Sequence, residues 1–143
     1  MNGSPAWVTE GLASYFETLE RKDGKLMLGS AGRESIWHLS GAQYIPLEAF
    51  VNVTQAEWMS TMTKTFNLPN LNPQYGQAAL LFRYFMEAED GKLKDKFLKE
   101  TLLKSCGNAK DLEKTFGFPV KGLVPKYVEF ANRFFKNPVS ASP

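Results

Sequence analysis

The chain has 143 residues, 43% hydrophobic, 13% aromatic and 22% charged, and at that length one domain can hide about 68 to 70% of the surface its unfolded chain exposes. Such a composition belongs to a globular protein and excludes a disordered, collagenous or low-complexity one. Seventeen basic against fifteen acidic residues leave a formal charge of +2, too even for a nucleic-acid surface, while one cysteine and one histidine exclude an intrachain disulfide and a Cys-rich zinc site.

Ser4-Pro5 offers an N-cap followed by proline at the first helical position, and Val8, Leu12, Tyr15, Phe16 and Leu19 recur at helical spacing, which predicts a first helix from about Pro5 to Glu20. Asp23-Gly24 marks a turn, after which Lys25 to Arg33 is glycine-rich and expected to be irregular. Glu34 to Ala42 carries a faint helical pattern on Ile36, Trp37 and Leu39. Thr54-Gln-Ala-Glu57 spells a capping box, with Trp58, Met62 and Phe66 on one face of the helix it would open. Asn72-Pro73 starts another helix, continued by Ala78, Leu81, Phe82 and Phe85 to the Asp90-Gly91 turn. Lys92 to Ser105, Asn108 to Phe116 and Gly122 to Phe135 complete the set. The reading is an all-α packing of six or seven helices, one domain over residues 1–136 with a flexible Pro/Ser/Ala tail at 137–143. No stretch reaches the roughly eighteen apolar residues of a membrane span, and no basic cluster with an apolar run opens the chain. It reads as soluble as given; a secreted or periplasmic destination is open for a longer precursor.

Two strings stand above this background. The first is Pro5-Ala-Trp7-Val-Thr-Glu10-Gly11-Leu12-Ala13-Ser14-Tyr15-Phe16-Glu17, and the second is Pro73-Gln-Tyr75-Gly-Gln77-Ala78-Ala79-Leu80-Leu81-Phe82-Arg83. The first resembles the helix that supplies the third zinc ligand in gluzincin metallopeptidases: a Trp, a Glu-Gly pair, then a small residue before an aromatic. The second resembles the helix start where those enzymes keep a tyrosine that steadies the oxyanion. The turn Ile45-Pro46-Leu47, the Asp90-Gly91 turn and the Phe116-Gly117 pair before a last amphipathic helix narrow the resemblance to the peptidase MA-like proteins, over most of residues 5–135. The fold so implied is the C-terminal helical subdomain of such a peptidase.

That resemblance implies Glu10 as a vestigial third zinc ligand and Tyr75 as a vestigial oxyanion stabiliser. The chain departs from the pattern in one decisive respect. A gluzincin site needs His-Glu-x-x-His on an upstream helix, two imidazoles for zinc and a carboxylate as base, and this sequence contains no such string. With the counterpart of the distal glutamate at residue 10, the chain reads as the C-terminal half of a peptidase domain, inactive alone and holding no cofactor, with zinc belonging to the intact parent. Set against this, Glu10 reads equally as an exposed helix glutamate and Tyr75 as a cleft-edge tyrosine.

Other residues carry less. His38 sits in Ile36-Trp37-His38-Leu39 and reads as a hydrogen-bonded, partly buried residue; Cys106 follows Leu102 and Leu103 and would need His38 beside it to act as a nucleophile. Lys92, Lys94, Lys96, Lys99 and Lys104 interleave with Asp90, Asp95 and Glu100, the mark of a solvated helix face. Gly11 and Ala13 thin one side of the first helix, which the resemblance explains as room for the metal helix. Trp7, Val8, Leu12, Tyr15 and Phe16 make that helix apolar over more than one side, so a homodimer through it is expected. The alternative to the peptidase-derived reading is a non-enzymatic helical interaction module using the same helix.

Overall fold

The computed structural model describes residues 4–16, 19–28, 45–60, 64, 72–104 and 106–132. The elements run α1 (Ala6–Phe16), β1 (Leu19–Lys22), β2 (Lys25–Leu28), α2 (Leu47–Val51), α3 (Trp58–Ser60), α4 (Asn72–Gly91), α5 (Lys94–Lys96), a π-helix (Phe97–Leu102), α6 (Ala109–Phe116) and α7 (Val120–Ala131). Helical periodicity therefore gave the right class, and the seven α-helical segments among the described residues match the expected six or seven. His38, the faint helix at Glu34 to Ala42 and the tail at 137–143 lie outside the described residues.

The organising element is α4. Residues 76–85 are all buried, and a helix covered on every side belongs in the middle of a packing, with no polar face for solvent. Leu80, Leu81, Phe82, Tyr84 and Phe85 form its apolar surface, with α1 against it on one side and α7 on another. Phe85 stacks on Phe97 of the π-helix at 5.0 Å and on Phe116 of α6 at 5.1 Å, while Tyr84 meets Phe130 of α7 edge to face at 5.7 Å. Each such ring pair contributes about 0.5 to 1.5 kcal/mol beyond its area burial. The helix stops where Ala88 turns extended (ψ 150°), and Glu89, Asp90 and Gly91 then follow in the left-handed region. Asp90-Gly91 is the predicted turn.

Three sequence expectations are corrected. The first helix ends at Phe16, short of Glu20, and Leu19 to Leu28 forms an antiparallel hairpin with Leu19 opposite Leu28 and Lys22 opposite Lys25. Asp23 (φ 53°) and Gly24 (φ 76°) both take left-handed backbone, as a two-residue loop matched to strand twist requires. Asp-Gly was read as a turn, but its power to pair the flanking residues outweighs the helical spacing of Leu19. Second, the segment Lys92 to Ser105 is a π-helix in its middle: Leu103 N–H reaches Leu98 and Cys106 N–H reaches Thr101, each five residues back. Third, α7 begins at Val120, behind Pro119, and carries Pro125 inside it. The capping box is present, with Glu57 N–H donating to the Thr54 hydroxyl oxygen and Thr54 N–H to the Glu57 carboxylate, both at 3.3 Å. Asn108 caps α6 by accepting from Asp111 N–H, and Gly117 closes it in left-handed conformation.

Candidate functional site

The two singled-out strings meet. A Cβ placed on Gly11 of α1 would lie 2.6 Å from the carbonyl oxygen of Ala78 in α4 and 3.1 Å from Phe82 Cβ, so the helices approach backbone to backbone and only glycine fits. Glu10 immediately precedes this contact on α1, and Tyr75 stands three residues before Ala78 on α4. The two candidate residues thus lie on two helices packed directly against each other. The sequence reading gave Gly11 and Ala13 a different task, room for a missing metal helix; in the structure Gly11 is buried against α4 and Ala13 is exposed.

The rest of the seam is aromatic. Trp7 is fully buried between Phe85 (5.9 Å) and Phe97 (6.0 Å), and its indole N–H donates to the Gly107 carbonyl at 2.7 Å. Gly107 is held in turn by closeness: a Cβ there would be 2.7 Å from Val8 Cγ2. Tyr15 packs on Phe82 at 5.1 Å, with the Arg83 guanidinium 5.8 Å from its ring and Arg83 paired to Glu87 at 2.8 Å. Burial and the neighbouring Glu87 charge push the Tyr15 phenol up to about 12. The expectation that α1 leaves its apolar side uncovered is therefore corrected for Trp7, Val8 and Tyr15, which the chain itself covers. What remains toward solvent is Phe16, 51% exposed, beside Ala13 and a partly buried Leu12.

Glu10 is partly buried, and that burial raises its carboxyl above the ordinary 4.5. Tyr75 is partly buried against the core, its ring tilted over Trp58 at 5.5 Å, and Trp58 rests edge-on against Phe50 at 6.0 Å. A stack of three rings from α2, α3 and α4 thereby sets the direction of Tyr75, a support that local sequence could not reveal because Phe50 and Trp58 are contributed by separate segments.

Sequence reasoning noticed Gln77 only as part of a Tyr-x-Gln string and gave it no task. It is fully buried, and its amide exchanges two hydrogen bonds with the backbone of one residue: Ile45 N–H donates to Oε1 at 3.2 Å, and Nε2 donates to the Ile45 carbonyl at 2.7 Å. The Ile45-Pro46-Leu47 turn and the second string are thus fastened to each other. Leaving those four polar groups buried and unpaired would cost about 1 to 3 kcal/mol each.

A His2Glu zinc site requires three protein ligands. Among the described residues no three His, Cys, Asp or Glu side chains are placed to share a metal ion, so Glu10 has no co-ligands there and the donors present do not fit zinc by themselves. The Cys106 thiol is partly exposed and donates to the Lys104 carbonyl at 3.2 Å. Comparison with protein-family models, curated proteins and solved structures gives no match for this chain.

Proposed function

We propose that this chain is the distal half of a metallopeptidase-like scaffold: a helical unit that presents Glu10 and Tyr75 beside one seam and has no hydrolytic activity by itself. The observation that supports the reading is the Gly11–Ala78 contact, which packs the two helices carrying Glu10 and Tyr75 directly against each other. In this reading Glu10 offers a carboxylate already partly withdrawn from water, and Tyr75 a hydroxyl on a ring steadied by Trp58. Zinc, where bound, would supply Lewis acidity and an activated water, with two imidazoles and the base coming from another segment. The chain's own contribution is orientation.

Zinc stoichiometry after metal-free dialysis tests this, on the chain alone and on the chain joined to, or mixed with, any His-Glu-x-x-His segment encoded beside it. The expected result is metal far below one equivalent for the chain alone, and near one equivalent for the combination, lost on Glu10→Ala. A full equivalent bound by the chain alone, or a combination indifferent to Glu10→Ala, would overturn the reading. The non-enzymatic interaction module draws on the 51% exposure of Phe16 at the C-terminal end of α1. Concentration-dependent sedimentation that Phe16→Ser abolishes would favour it.

A further inference from the structure

A cleft of about 590 Å³ separates the α5 and π-helix segment from α6, within the size range of small-ligand sites. Lys96 and Lys99 line one wall, Lys114 the other, and Lys104 the loop between them, with Glu100 and Cys106 on its surface. Glu100 lies among these lysines and pairs with one of them. Lys104 donates to its carboxylate at 2.7 Å, and the Lys104 bond, reinforced by the charges of Lys96 and Lys114, holds that carboxyl below the usual range. Asp95 and Asp111 are the other acids of the lining, so four ammonium groups face three carboxylates, one of them already engaged.

The walls are fixed from behind. Phe97, fully buried, anchors the π-helix against Phe85 and Phe82, Leu112 anchors α6, and the loop is tied down by Cys106 N–H on Thr101 and by Trp7 on Gly107. A π-helix is rare and collects at functional positions, because its extra residue is kept only where the altered register is useful. Here the same stretch that carries the π-turn supplies Lys99 and Glu100. Among the described residues the lining contains no arginine. Lysine ammonium groups act as compact charges with freely turning donors, and several of them around one cleft can each take an oxygen of a multivalent tetrahedral oxyanion as point charges.

The geometry points to this cleft as a binding site for a small phosphate-type polyanion, held between Lys99 and Lys114, with Glu100 as the internal counter-ion that occupies the lysines in its absence. The site is separate from the α1–α4 seam and stands whether or not the peptidase-derived reading does.

Cys106 supplies the readout, since it is the chain's single cysteine. Pyrophosphate is expected to slow alkylation of Cys106 by uncharged iodoacetamide several-fold and saturably, with sodium chloride at equal ionic strength leaving the rate unchanged. The double substitution Lys99→Gln/Lys114→Gln should abolish the protection, and Lys121→Gln, an exposed lysine outside the lining, should keep it. Absence of protection on the unsubstituted chain, protection matched by chloride, or protection that survives the double substitution would each overturn the proposal. Equal protection by hexaglutamate would overturn the phosphate assignment.

Discussion

The seam between α1 and α4 and the cleft between the π-helix and α6 share a wall, yet they obey opposite rules. Phe97 faces the seam, stacked with Trp7 and Phe85, while its neighbours Lys96 and Lys99 face the cleft. The seam is tightly closed: a methyl group at Gly11 would meet the Ala78 carbonyl, and one at Gly107 would press on the Val8 side chain. The cleft is open, and its side chains are long, solvated and mutually screened. Position is therefore dictated by the seam, and charge is displayed by the cleft; a substitution in the first should be read in stability, and one in the second in ligand response.

The comparison can be broken by a graded set of variants. Trp7→Ala should be the most damaging, costing about 4 kcal/mol, since it removes a buried ring and orphans the Gly107 carbonyl; a denaturant midpoint scarcely moved would show the seam to be looser than described. Gly11→Ala should cost about 2 to 3 kcal/mol, because the added methyl meets backbone and no side chain can swing aside. Gln77→Leu comes next at about 2 kcal/mol, with both Ile45 backbone groups left unpaired, and the Ile45 amide should lose its protection from hydrogen exchange before the core does.

Glu10→Gln acts in the other direction. Burial raises the folded-state carboxyl above 4.5, so the native state binds protons more readily than the unfolded one and ionised Glu10 disfavours folding at pH values above its raised titration range. The variant should be more stable than the parent at pH 7, with the gap closing as pH falls toward 4.5; thermal melts across that range that run parallel would contradict the shift. The smallest effect belongs to the cleft: Lys104→Ala should leave the unfolding midpoint unchanged despite losing the Glu100 pair, as exposed i,i+4 pairs contribute little.

Legibility in the sequence follows the range of the interaction. Features made by neighbours were readable: the Thr54–Glu57 box, the Asn108 start and the Asp90-Gly91 stop each depend on a few adjacent residues. The hairpin was half readable, because Asp23-Gly24 announces a turn but strands as short as Leu19–Lys22 show little alternation. The reason for Gly11 was not readable at all, since glycine in a helix gives no hint of which neighbour requires it. The same holds for Gln77, whose partner lies 32 residues away, and for the π-turn, which changes the register of a stretch whose composition is ordinary for an α-helix. In the candidate site the identities of Glu10 and Tyr75 come from pattern; the packing of their two helices comes from the fold.

The Trp7–Gly107 hydrogen bond joins positions 100 residues apart. In a chain made from its N-terminus, α1 emerges before the elements it packs on and cannot take its seat until α4, Phe97 and Gly107 have all been synthesised, since together they form the place where Trp7 rests. Long-range closure of this kind slows folding and prolongs exposure of apolar surface. The nascent chain thus carries α1 without its full seat while the 100 residues from Trp7 to Gly107 are made, so an interruption between Phe97 and Gly107 would release a chain in which α1 has nearly all its partners but not its lock.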